Sequence, residues 1–188
     1  MKLYHLVVDD FLEDFAFWRE WADVQTFKDE VNPVDGVIYP GICKAVPSWG
    51  IQQRLNGIMG VQVTINSIFM RLSPAGANPP HWAHNDASMG QYSLMLYLNR
   101  PEHCQGGTAL LEHKLFGLRD GPRDEEEMEA WKQNTNDADA WKQTMVCEMK
   151  TNRAFIFRSE LMHAALPVSG FGKDAKDGRL VLTAFFNA

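Results

Sequence analysis

The chain has no apolar run of membrane-spanning length. Its longest near-apolar stretches, 94–98 and 180–186, fall far short of the roughly 18 residues a spanning helix needs, so no membrane partner is expected. Cysteine is scarce: Cys43, Cys104 and Cys147 form neither a CxxC pair nor an even set, which argues against a disulfide framework and reads as reduced thiols. Basic residues are outnumbered, 18 Lys and Arg against 24 Asp and Glu, for a net charge of −6. Proteins that track phosphate backbones displace counterions with a basic stripe. None is present, so no nucleic-acid partner is expected. Met1, Lys2, Leu3, Tyr4 and His5 run toward Asp9, Asp10, Glu13 and Asp14 without the apolar core and small-residue cleavage site of a secretory leader; a cytoplasmic location is the expectation. Repeats and low-complexity tracts are also lacking.

What is present is an ordinary globular composition, 45% hydrophobic and 22% charged, in 188 residues, the size of one domain. A chain of this length buries roughly 70% of the surface its unfolded form exposes, enough for a hydrophobic core. Residues 3–8 are β-prone. Asp9 and Asp10 offer capping side chains for a helix to about residue 21, with Phe11, Phe15, Trp18 and Trp21 at helical spacing as a core stripe. Pro33, Gly36, Pro40, Gly41 and Pro47 mark 31–47 as an ordered loop, and a second helix is expected over 48–59. Strand-like segments then follow at 61–72, 81–86, 91–98, 108–112, 153–158, 162–168 and 179–186, separated by Gly and Pro turns, the pattern of a mainly-β sandwich or barrel. The acidic stretch 120–129, with Trp131 and Trp141 after it, reads as a helical insertion continuing to about Cys147. Residues 1–188 thus read as a single domain, with helical support over 1–60 and a β core over 61–188 interrupted by an insertion at about 114–150. The insertion reads as a solvated surface helix, with a cover over the mouth of a site as the alternative.

The chemistry concentrates in His84, Asn85 and Asp86. Side chains alternate faces along a strand, so His84 and Asp86 point one way and Asn85 the other. An HxD pair alone is weak, but His163, after the apolar run 154–157 and a polar turn, supplies a third ligand. Two histidines and one carboxylate form the facial triad that holds non-haem Fe(II) with positions left open. His5, His81, His103 and His113 fit less well: His81 has the wrong strand parity, and the others lie outside the β-rich region, in a turn or at a strand end. Arg179 opens an apolar strand on the same face as Val181, Thr183 and Phe185. A cation facing a core is costly unless it meets an anion, and a guanidinium fork suits a carboxylate.

From about Ser67 to Phe186 the chain resembles the 2-oxoglutarate- and Fe(II)-dependent oxygenases, particularly their prolyl-4-hydroxylase-like branch. The matching pieces, in order, are His84 with Asp86, the stretch 92–99 containing Tyr92, Met95 and Tyr97, the stretch 106–110 beginning Gly106 and Gly107, His163 with Pro167 and Val168, and Gly178 with Arg179. The resemblance implies a double-stranded β-helix, a jelly-roll of cupin-like form, with supporting N-terminal helices and the helical insertion between strands. It implies Fe(II) on His84, Asp86 and His163, and 2-oxoglutarate paired through its far carboxylate with Arg179. Tyr97 is implied to add a hydrogen bond to that carboxylate, with Met95 and Thr183 lining the pocket. The implied activity is a dioxygenase that hydroxylates an unactivated C–H bond while O2 and 2-oxoglutarate yield succinate, with ascorbate as a stimulant. Retention of Asp86 points away from the halogenases, which have a small residue there. The absence of a second arginine after Thr183 points away from the nucleic-acid demethylases.

Trp82, Asn85 and Tyr92 are the positional candidates for contact with a peptidyl or small-molecule substrate, and Arg71, on the strand entering the site, is another. Arg71 and Arg158 are alternative anion partners, and Lys173 and Lys176 could compete with Arg179 from the loop before it. Two other readings remain open: a cupin-like metalloenzyme that does not use 2-oxoglutarate, and a non-catalytic jelly-roll binding module. The oligomeric state is not legible.

Overall fold

The C-terminal strand is buried along its length apart from its final residue, as a strand covered on both faces must be, and the molecule is assembled around it. The computed structural model describes residues 3–31 and 36–188. In chain order the elements are β1 (His5–Val8), α1 (Phe15–Asp23), β2 (Lys28–Val31), β3 (Ile38–Cys43), α2 (Trp49–Met59), β4 (Thr64–Ser73), β5 (Tyr92–Tyr97), β6 (Gly107–His113), α3 (Glu125–Asn134), β7 (Trp141–Glu148), β8 (Ala154–Arg158), β9 (His163–Leu166) and β10 (Arg179–Asn187). Seven strands form one sheet in the order β1-β8-β5-β10-β4-β3-β2, and three form a second in the order β7-β6-β9. Their pairings are antiparallel. Two facing antiparallel sheets with non-sequential strand order make this the expected jelly-roll.

Alternation along the strands separates the layers. Leu180, Leu182, Ala184 and Phe186 of β10, with Leu94 and Leu96 of β5, pack against Trp18 and Ala22 of α1 and Ile51 and Leu55 of α2. The opposite face, with Tyr97, Phe155, Phe157 and Val181, meets Leu110 and Cys147 of the small sheet. A third cluster, with Trp82, Ala83, Ala109, Leu111, Trp141 and Met162, covers the outer side of the small sheet beneath Trp131 of α3. Gly107 makes close strand packing possible: it pairs with Glu148 on one side and Leu166 on the other at φ 145°, and a Cβ there would lie 2.1 Å from the Cys147 carbonyl oxygen.

Four sequence expectations are corrected. Helix α1 starts later, capped by Asp14, which accepts from Phe17 N–H at 3.1 Å, because Asp10 takes a left-handed turn at φ 51°. The 31–47 loop instead contains β3, and β2 precedes it, so the large sheet extends past β4; residues 32–35 of that reading lie outside the described residues. The turn formers in this segment obscured the pairing, since Pro40 and Gly41 are themselves within β3. Residues 81–86 form no strand, only an isolated antiparallel bridge between His84 and His163. Finally, the second half of the insertion is β7. Trp141 is buried at one end and Met145 and Cys147 turn inward at the other, but Lys142, Gln143 and Thr144 between them are exposed where the pairing with β6 shifts register, so the strand carries no continuous alternation to read. The acidic stretch itself forms the first turn of α3, where Asp124 caps the Glu127 N–H at 2.9 Å; carboxylates there complement the helix dipole.

Helix α1 is tied to the sheet by a buried cation. Arg19 Nη1 donates to the Leu98 carbonyl at 3.0 Å, and Nη2 donates to the Ala175 carbonyl and Asp23 Oδ1, each at 2.6 Å. Arg100 Nη2 holds the other Asp23 oxygen at 2.8 Å. Burial pushes the Asp23 carboxyl up, but Arg19 and Arg100 outweigh it and hold the group below its ordinary 3.8. Replacing Arg19 by Met leaves these acceptors unpaired and should cost about 3 kcal/mol, lowering the melting midpoint by about 6–12 °C in calorimetry. A depressed carboxyl contributes stability above its unfolded pKa and loses it as pH falls through the folded value. The wild-type advantage over Arg19→Met should therefore be full at pH 7 and shrink below about pH 4.

Candidate metal centre

His84, Asp86 and His163 converge although no strand carries the first two. One ligand atom from each lies within 4.8 Å of the others. His84 and His163 exchange backbone hydrogen bonds of 3.1 and 2.8 Å, which brings their ring centroids to 4.4 Å. The chain then turns: Asp86 N–H donates to the Ser159 carbonyl at 2.7 Å, and Asn85 Oδ1 accepts from Ala87 N–H at 3.1 Å. This turn, rather than strand parity, swings the Asp86 carboxylate to 3.2 Å from His163 Nε2.

Each histidine is oriented in the same way. His84 Nδ1 lies 3.0 Å from the Trp82 carbonyl, and His163 Nδ1 lies 2.9 Å from the Leu161 carbonyl. A carbonyl only accepts, so each Nδ1 donates to its carbonyl, which leaves Nε2 as the ring nitrogen each histidine can offer to a metal. Burial, helped by His163, lowers His84 to about 4, so its imidazole is neutral at pH 7. Burial pushes the Asp86 carboxyl up, but His163, His84 and Arg71 outweigh it and hold it below its ordinary value, leaving an anion. His163 Nε2 is buried, and the polar group it faces is the Asp86 carboxylate. Two imidazoles whose Nε2 atoms converge with a carboxylate, buried and with little else to meet, are a donor set that fits a divalent ion such as Fe(II), with coordination positions left over.

Beside His84 lies a narrow cavity of about 40 Å³, whose walls include Arg71, Trp82, Pro167, Val168 and Arg179. Arg179 is 4% exposed. Its Nε donates to the Leu166 carbonyl at 3.3 Å and its Nη2 to the Gly107 carbonyl at 3.1 Å, and among the described residues no carboxylate pairs with it. Burial lowers its pKa to about 10, Tyr97 opposing and Arg71 adding to the effect, so it stays charged at pH 7. Arg71 stands with its guanidinium carbon 5.9 Å from the Tyr39 ring centroid, and its Nε is buried without a hydrogen-bond partner. Two cations thus border one cavity.

The other sequence candidates are distributed around this arrangement. Tyr97 is fully buried, and its hydroxyl lies 2.9 Å from Thr108 Oγ1 and 3.1 Å from the Cys147 carbonyl. Thr183 Oγ1 contacts Met95 Sδ at 3.5 Å. None of these three lines the narrow cavity. Trp82 does; Asn85 Nδ2 instead contacts Met162 Sδ at 3.7 Å. Tyr92 lies on the helix-facing side of β5, stacked on Phe186 with ring centroids 5.5 Å apart, because it has the opposite parity to Met95 and Tyr97. Arg158 is committed to Glu160, Nε to Oε1 at 2.8 Å, and Lys173 and Lys176 are exposed. Among the other histidines, His81 lines the cavity with its ring 5.8 Å from Trp131. Sequence reasoning missed Tyr39, since β3 was read as loop, and the contacts of residues 131–136 with the ligand-bearing loop, since nothing local signals a partner some 50 residues away.

The comparisons agree with this fold. The model of a family of unknown function, DUF6445, matches residues 2–186. No curated protein matches significantly. Among solved structures, EctD from S. alaskensis is similar over 98% of this chain and 73% of its own, at a TM-score of 0.54 and 14% identity. SnoN, described as a non-heme alpha ketoglutarate dependent epimerase from nogalamycin biosynthesis, is similar over 97% of this chain and 76% of its own, at 0.56 and 12%. AviO1 from Streptomyces viridochromogenes Tue57 gives 97% and 89%, at 0.52 and 11%. At such identities the likeness is one of fold. With its family model matched over nearly the whole chain, the protein belongs to the DUF6445 family, and its jelly-roll is that of EctD and SnoN.

Proposed function

We propose that the protein is an Fe(II)- and 2-oxoglutarate-dependent dioxygenase that hydroxylates an unactivated C–H bond of an amino-acid residue, prolyl included, or of a small molecule. The observation that carries this reading is the pairing of an open His84, Asp86 and His163 triad with a buried, anion-free Arg179 beside one cavity. Related folds support it: EctD has been crystallised with bound Fe, and with 2-oxoglutarate and 5-hydroxyectoine, and SnoN with Fe3+ and alpha ketoglutarate. The motifs of the sequence favour the prolyl-4-hydroxylase-like branch.

In this reading His84, Asp86 and His163 hold the iron. An iron held there would activate O2, the oxidant, so that one oxygen atom enters the C–H bond and the other converts 2-oxoglutarate to succinate with loss of CO2. Arg179 receives the far carboxylate of 2-oxoglutarate: its fork is already oriented by two backbone carbonyls, so little reorganisation is needed when the anion arrives. Arg71, which lines the same cavity and acts electrostatically on both Arg179 and Asp86, adds a second positive charge. Trp82, Pro167 and Val168 form an apolar wall that limits water around those charges, which strengthens the ion pairing. Trp82, Asn85 and Arg71 stand as the substrate-contact candidates; Tyr92 faces the helical layer. Structural metal sites, of zinc at least, close with four protein ligands, whereas three are assembled here, which favours catalysis over a purely structural centre. A buried cation without an internal anion disfavours a cupin-like enzyme that dispenses with the diacid. Three free thiols suit a reducing cytoplasmic setting in which ferrous iron persists, and ascorbate should stimulate turnover.

Succinate release from 2-oxoglutarate, measured with Fe(II), ascorbate and O2 but no prime substrate, should be detectable in the wild type. It should fall at least about 100-fold in both His163→Ala and Arg179→Ala. No succinate from the wild type, together with no measurable 2-oxoglutarate binding to the metal-loaded protein, would favour the cupin-like or binding-module alternative, whereas succinate persisting in Arg179→Ala would remove Arg179 from the diacid-binding role. Calorimetric titration of 2-oxoglutarate into the metal-loaded Arg179→Lys variant should show affinity reduced about tenfold or more, with metal affinity retained, because a lysine point charge replaces a bidentate fork.

A further inference from the structure

The loop bearing His84 lacks a strand of its own, yet both peptide planes around Ala83 are fixed. The first plane joins Trp82 to Ala83. Its N–H donates to the Thr135 carbonyl at 2.8 Å, and its carbonyl, the Trp82 oxygen, is the acceptor that orients His84 Nδ1 at 3.0 Å. The second joins Ala83 to His84. Its carbonyl accepts from Thr135 Oγ1 at 2.7 Å and from Trp131 Nε1 at 3.0 Å, while its N–H donates to the His163 carbonyl at 3.1 Å. Asn136 adds two more bonds, accepting from Trp82 N–H at 2.8 Å and donating to the Pro80 carbonyl at 3.1 Å. Trp131, Thr135 and Asn136 all belong to the end of α3 or the turn after it. Ala83 is wholly buried and Thr135 is 7% exposed, so these bonds compete little with water.

We infer that Trp131, Thr135 and Asn136 are positioning residues of the metal centre, and that the insertion is a clamp on the ligand loop, setting metal affinity through the peptide planes that aim His84. This inference rests on the metal-centre reading above. A strand-borne histidine is aimed by its sheet. Here one edge of the loop has that support, from the bridge to His163, and the insertion takes the place of the missing neighbour on the other. Rotation of the first plane would turn the Trp82 carbonyl away from His84 Nδ1, rotation of the second would tilt His84 itself, and either would swing Nε2 off the point shared with Asp86 and His163. Partners one step removed from a metal typically govern affinity by 10–100-fold.

The test is titration of the metal-free protein with Co(II) alone, followed by its visible ligand-field absorption, with thermal melting of the metal-free forms measured in parallel. Trp131→Phe combined with Thr135→Val removes both side-chain donors to Ala83 O and nearly conserves volume. The expected result is Co(II) affinity lowered about tenfold or more with an altered absorption spectrum, and Thr135→Ser, which keeps the hydroxyl, near wild type. A folded double variant with wild-type affinity and spectrum would overturn the clamp, even with a lowered melting midpoint, since that combination marks a purely structural contact. Should the double variant not fold, Thr135→Val alone decides, with a loss of about fivefold expected and an unchanged affinity overturning the inference. A wild-type protein that binds neither Co(II) nor Fe(II) would overturn the metal centre itself, an outcome distinct from failure of the clamp.

Discussion

The hydrogen bonds exchanged by the backbones of His84 and His163 are the contact on which the site depends. They dock a loop with no strand of its own onto the edge of the small sheet, in the position a fourth strand would fill. Through them the two imidazoles become neighbours, and the turn that follows delivers Asp86. Everything else around the centre serves this junction. Phe157 packs edge-on against the His163 ring at 4.7 Å, Ser159 anchors Asp86, and α3 closes over the loop from outside.

The charge distribution is the second constraint. A buried guanidinium that meets only carbonyls is a state that folding alone disfavours, and Arg71 next to Arg179 makes the cavity more positive still. Asp86 balances part of that charge at one end. The resulting arrangement sets a carboxylate beside two imidazoles and two cations beside one narrow cavity, the charge pattern on which the proposed function rests. Its polar groups are aimed by backbone carbonyls, which reorganise little, so the field is in place before any ligand arrives.

Much of this was legible before the fold was known because the relevant signals are local. The parity of β10 placed Arg179 with Val181 and Thr183 on the inner face, and register confirms that face, with Val181 opposite Tyr97 and Thr183 opposite Met95. The same rule applied to β5 would have turned Tyr92 away from the site. His84, Asp86 and His163 were legible as ligand types in the right order, although the strand invoked to align the first pair is a bridge and a turn. Segments 31–47 and 141–148 were misread for opposite reasons: in the first, Pro40 and Gly41 imitate a loop within β3, and in the second, polar residues mask a strand whose buried members are only Trp141 and Cys147.

A mainly-β fold, two histidines and a carboxylate as candidate ligands and an arginine facing the core are readable along the chain, because apolar periodicity and residue chemistry are properties of sequence neighbours, and the ordered motifs add the jelly-roll by resemblance. Folding alone settles which carbonyls aim the imidazoles, that Tyr97 bonds to Thr108 and Cys147, and that the insertion bonds to the loop bearing His84. Those outcomes depend on backbone groups that every residue carries alike, and a hydrogen bond between Thr135 and Ala83 leaves no mark on either residue's identity until folding brings them together.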